Sequence, residues 1–143
     1  MTHEDKGYYA GKHPGKPIDK TISTKITSLA ENNILSCAAA HRAARDLGVS
    51  PLDIGIQTDL MEYRISQCQL GLFGYSPEKK KIDPDIEVSK SLFTALDKAN
   101  NDGKISCSQC WEIADTLKLK RLDLGSACEK LNLRIKPCQL GAF

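Results

Sequence analysis

The sequence predicts a mainly α protein made of two tandem tri-helical, helix-turn-helix-like repeats, each trailed by a short strand or wing-like segment. A duplication is the first ground for this. Residues 35–73 align without a gap on residues 105–143 at a constant offset of 70, with 14 of 39 positions identical, where unrelated chains would share about two or three. The second ground is periodicity, because apolar residues recur three and four apart, the spacing of one helix face. The third is punctuation: Ser precedes and Gly or Asn follows most of these periodic runs, as at helix starts and stops.

The identical pairs include Ser36/Ser106, Cys37/Cys107, Ala44/Ala114, Leu52/Leu122, Asp53/Asp123, Gly55/Gly125, Arg64/Arg134 and a closing run Cys-Gln-Leu-Gly-x-Phe at 68–73 and 138–143. Allowing a short insertion around Asn101-Asp102-Gly103 extends the match at an offset of 67 through Gly7/Gly74, Tyr8/Tyr75, Lys12/Lys79 and Pro17/Pro84. The repeats are then 1–73 and 74–143. The first has an arm over about 1–20 and a tri-helical unit over 21–73. The second has a linker over about 74–87 and a tri-helical unit over 88–143. Both polar leaders are rich in Lys and Pro, a composition that buries little surface and predicts a solvated, extended tether.

A first helix is predicted over about Ile22–Asn32 and Ser89–Ala99, with Ile22, Ile26 and Leu29 on one face, and Leu92 and Leu96 on the corresponding face. The Asn-rich segments after them suit a C-terminal stop. The second helix runs from about Ser36 to Leu47 and from Ser106 to Leu117, with Ser36 and Ser106 as N-caps and Gly48 closing the first copy. Its inward face holds Cys37, Ala40, Ala44 and Leu47, or Cys107, Cys110, Ala114 and Leu117. Ser50-Pro51-Leu52-Asp53 opens the third helix as a capping box with Pro at the first helical position. Lys120 replaces Ser50 in the second copy and leaves that start uncapped. Ile54/Leu124, Thr58/Cys128 and Met61/Leu131 form the packing face. Alternation at 63–66 predicts a strand, and Gly71 and Gly141 predict turns at positive φ.

The formal net charge is +2, with six cysteines and three histidines. Residues 34–73 carry a net −1 and residues 104–143 a net +3, so the second copy is the better candidate for an anionic partner. The absence of a long apolar run or a secretory leader predicts a soluble, cytoplasmic protein with reduced thiols. No membrane partner, cofactor or small-molecule substrate is expected. With His3, His13 and His41 the only histidines, no catalytic triad, phosphate-cradling loop or paired-carboxylate cleft can be assembled, and an enzyme is not expected.

The run Ala44-Arg45-Asp46-Leu47-Gly48 followed by Ile54, and the opening Gly103-Lys104-Ile105-Ser106, carry a resemblance. Ala stands where two helices touch and Gly where the chain turns. This resembles the helix-turn-helix and winged-helix families, in particular the N-terminal domains of LysR-type and molybdate-responsive repressors. Lys118 in place of Gly48 departs from the pattern. The resemblance implies a nucleic-acid-binding or transcription-regulatory module whose third helix enters the major groove of duplex DNA. In the first copy that surface is Pro51, Leu52, Gly55, Ile56 and Asp59, apolar and acidic. In the second, Lys118, Lys120, Arg121, Ser126, Lys130 and Arg134 are the candidate nucleic-acid contacts. A protein-interaction adaptor or accessory subunit, engaging another protein or a second copy, is the alternative.

Cysteines supply a third reading. Cys107, Cys110, Cys128 and Cys138 could together ligate zinc, although Cys110 and Cys128 align with Ala40 and Thr58, as core positions would. Placing Gly103 at the sixth position of a calcium loop puts Gln109 at the twelfth, where a carboxylate belongs, so calcium is not expected.

Overall fold

The computed structural model describes residues 8–143. The sequence features at His3 and Gly7 lie outside the described residues. Among these residues the fold is mainly helical, with six α-helices and four short strands, and no helix is long and apolar enough to cross a membrane. The chain forms two compact units. One contains the chain up to Cys68 together with Gln139–Phe143, and the other contains Gln69–Cys138.

In the first unit a 3-10 helix, Tyr9–Lys12, precedes α1 (Lys20–Leu29), β1 (Ile34–Ser36), α2 (Cys37–Leu47), α3 (Pro51–Leu60) and β2 (Arg64–Ser66). The Asp19 carboxylate caps α1 by accepting from Ile22 N. That cap starts the helix earlier than periodicity alone suggested. α1 ends at Leu29, and Asn32 and Asn33 take positive φ, which short polar side chains tolerate best among non-glycine residues. Ser36 caps α2, and Gly48 closes it in the left-handed region. Ser50 and Asp53 complete the capping box of α3 with Pro at its start. The three helices pack on one another over a core of Ile26, Leu35, Ala40, Ala44 and Ile54.

The second unit repeats this plan with α4 (Lys90–Ala99), β3 (Lys104–Ile105), α5 (Cys107–Leu117), α6 (Arg121–Lys130) and β4 (Arg134–Ile135). Leu92, Leu96, Ile105, Cys110, Ala114 and Leu124 form its core. Lys118 adopts φ 56° and ψ 43°, the conformation of Gly48, although the sequence signals a turn only in the first copy. The tight connection to α6 imposes the same geometry on a residue for which it is unfavourable. Lys120 makes no side-chain cap, as its chemistry foretold.

Periodicity did not reveal the strands that precede the second helices. In the first unit Ile34, Leu35 and Ser36 pair in parallel with Arg64, Ile65 and Ser66. In the second, Lys104 and Ile105 pair in parallel with Arg134 and Ile135. The second and third helices of each unit are thus clasped at their base by a minimal parallel ladder, with Leu35/Ile65 and Ile105/Ile135 buried beneath it.

Candidate functional site

The third helix carries most of the residues that sequence reasoning assigns to a partner. In α3, Ile54 and Thr58 face the core, while Gly55, Gln57 and Asp59 are also buried. The leader covers Gln57 and Asp59, while the backbone of Leu140 lies against Gly55. Lys12 Nζ lies 3.0 Å and His13 Nε2 2.8 Å from the Asp59 carboxylate. The Glu62 carboxylate accepts from Tyr9 N and Ala10 N. Gln57 bridges, accepting from Asp19 N at 2.9 Å and donating to Pro17 O at 3.3 Å. The described part of the arm is therefore docked rather than a solvated tether, because α3 offers it one carboxylate and an amide and Glu62, just past the helix, a second carboxylate.

In α6 the five successive residues Leu124–Cys128 are buried. Here the linker covers Ser126, and the backbone of Leu70 lies against Gly125. Ser126 Oγ accepts from Asp83 N at 2.9 Å, Lys130 Nζ donates to Ile86 O at 2.7 Å, and Lys80 pairs with Glu129 at 3.6 Å. Ser126, expected on the exposed side of the helix, is inside and committed to the linker.

The other candidate contacts divide by position. Lys118 and Lys120 are exposed in the α5–α6 turn and Arg134 is exposed on β4. Arg121 is half-buried, its guanidinium 3.7 Å from the centroid of the Trp111 ring and 3.2 Å from Gln69 Oε1. That stack satisfies the cation with a π face and an amide. Lys120 and Arg121 line a cleft of about 450 Å³ with Gln69, Tyr75 and Asp115, whereas Arg134 lines a separate one of about 340 Å³ with Glu129 and Asn132. The six candidates do not form one surface.

The four cysteines considered as zinc ligands include one close pair. Cys110 and Cys128 are buried with Sγ atoms 4.0 Å apart. Among the described residues no group of three or more His, Cys, Asp or Glu side chains is placed to hold a metal. The hydrogen bond with Cys110 holds the Cys128 thiol below its ordinary pKa, against the upward pull of burial. All six cysteines are free thiols, and Cys138 alone is not fully buried.

Two features were missed from sequence. One is the docking of the leaders on Asp59 and Glu129. Its signal was present, since His13 and Lys80 correspond at the offset of 67 and Asp59 and Glu129 at the offset of 70. The other is a backbone slot beside a helix-interior glycine. A Cβ at Gly55 would fall inside the Leu140 carbonyl oxygen, and one at Gly125 inside the Leu70 carbonyl oxygen. Glycine within a helix costs about 1 kcal/mol relative to Ala, so its recurrence in both copies indicates a close backbone approach.

No protein-family model, characterised protein or solved structure matches this chain. Its functional reading therefore rests on the geometry of the two units.

Proposed function

We propose that this is a non-catalytic protein-interaction module, an adaptor or accessory subunit, built on a duplicated helix-turn-helix scaffold. The observation that supports it is the covering of the third helix. A groove-reading helix must present an open face to base edges, yet Gly55 and Asp59 of α3, and Gly125 and Ser126 of α6, are buried by the protein's own segments.

Nucleic-acid binding through the second unit is the second reading, favoured by the exposed Lys118 and Lys120 beside the uncapped start of α6. Such contacts would grip phosphates without reading bases. Fluorescence anisotropy with a labelled duplex across a salt series separates the two. The adaptor reading expects no binding, or a weak and flat response. A steep salt slope that falls by about one on Lys120→Ala, in a variant that remains folded, would replace it with the second reading.

A further inference from the structure

The segment that fills each glycine slot has the same sequence, Gln-Leu-Gly-x-Phe, at 69–73 and 139–143. In the first unit it is Gln139–Phe143 that packs on α3. Leu140 and Ala142 are buried, Gly141 takes φ 76° and abuts Leu52, and Lys12 Nζ donates to Gly141 O at 3.5 Å. In the second unit Gln69–Phe73 packs on α6. Leu70 and Phe73 are buried, Gly71 takes φ 80° and abuts Leu122, and Gly71 O accepts from Lys81 N at 2.7 Å. Each repeat therefore surrenders its closing segment to the unit formed by the other repeat. The crossings fall at the equivalent bonds Cys68–Gln69 and Cys138–Gln139.

We propose that each slot is a peptide-binding groove for a Leu-Gly-x-Phe segment, and that a second copy of this chain can supply the segment, giving a dimer that exchanges 139–143. Several features support this. The segments match in sequence at Gln, Leu, Gly and Phe, and the slots match at Gly55/Gly125 and Leu52/Leu122. Nothing in this chemistry distinguishes a segment of the same chain from one of another. The exchange already made between the repeats is the one a swapped dimer makes between copies. Within one chain the tether holds the segment at a high effective concentration, so the closed monomer prevails in dilute solution. Vacating a slot shifts the balance to exchange. This inference does not depend on the adaptor reading.

The test uses two full-length variants. Leu140→Asp empties the slot of the first unit while keeping Gly55. Gly55→Val blocks that slot and frees an intact 139–143. Each alone should be monomeric by sedimentation, whereas an equimolar mixture should give a 1:1 heterodimer. Two folded variants that stay monomeric when mixed overturn the proposal. If either fails to fold, full-length Leu140→Ala with the peptide Cys-Gln-Leu-Gly-Ala-Phe decides. The peptide should raise its unfolding midpoint by several degrees and saturate, and a peptide with Asp for Leu should not. An unchanged midpoint at high peptide concentration overturns the proposal equally.

Discussion

His13 Nε2 lies 2.8 Å from Asp59 Oδ2, and the equivalent residues of the second repeat, Lys80 and Glu129, meet at 3.6 Å. The two units make this pairing with different residue types on both sides. In the first unit it is nearly shielded, the Asp59 side chain being 2% exposed, while Lys80 and Glu129 are 57% and 49% exposed.

The difference in burial predicts unequal costs. Asp59→Ala removes the acceptor that holds Lys12 and His13, leaving the arm held by Glu62 and Gln57. It should cost about 3 kcal/mol, within the range for breaking a buried pair. Glu129→Ala should cost under about 1 kcal/mol, as exposed pairs do. Denaturant midpoints of the two variants, together with proteolytic release of the arm in Asp59→Ala alone, check this.

Gly55→Ala and Gly125→Ala should each destabilise by about 2 kcal/mol, the scale of overpacking. Helix propensity alone would give a gain of up to about 1 kcal/mol. The sign of the change in thermal midpoint is the readout. A gain at either position would mean that the backbone of 70 or 140 does not lie against that helix.

Lys118 and Lys120 occupy positions better suited to other residues. Lys118→Gly should stabilise by about 1 kcal/mol by relieving the left-handed backbone. Lys120→Ser should add about 1 kcal/mol by restoring the cap that Ser50 supplies to α3. The two lie at opposite ends of one short turn, so a double-variant cycle is needed to show whether the gains add.

Arg121→Ala should cost about 1 kcal/mol through loss of the stack on Trp111. Trp111 is the only tryptophan in the chain, so its fluorescence reports the change directly. A loss of DNA binding in this variant would be ambiguous for that reason. Lys120→Ala, whose side chain carries no cap, is the cleaner probe of phosphate contact.

A thiol reagent should react rapidly with Cys138 in the native protein and slowly with the other five cysteines, which are buried. Reactivity needs access as well as thiolate character, so the lowered pKa of Cys128 should not make it fast. Cys138→Ser should remove the rapid phase, and all five remaining thiols should react in denaturant. A second rapid thiol would show that one unit opens readily.

Much of the local structure was legible from residues close in sequence. Ser36, Ser50 and Ser106 cap the helices they were expected to cap, the strands after the third helices form at 64–66 and 134–135, and Gly71 and Gly141 take positive φ. Caps, helix faces and glycine turns are settled by interactions within about four residues, and such interactions are written in the chain. Tertiary structure alone decided the rest. Ile34–Ser36 becomes a strand only because Arg64–Ser66 lies beside it. Lys118 takes a glycine conformation because α5 and α6 must join where they pack. The polar leaders dock because carboxylates distant in sequence wait on the third helices. Two identical Gln-Leu-Gly-x-Phe segments facing two slots that share their glycine and leucine hold no local information about which fills which. That choice falls to the chain's long-range path.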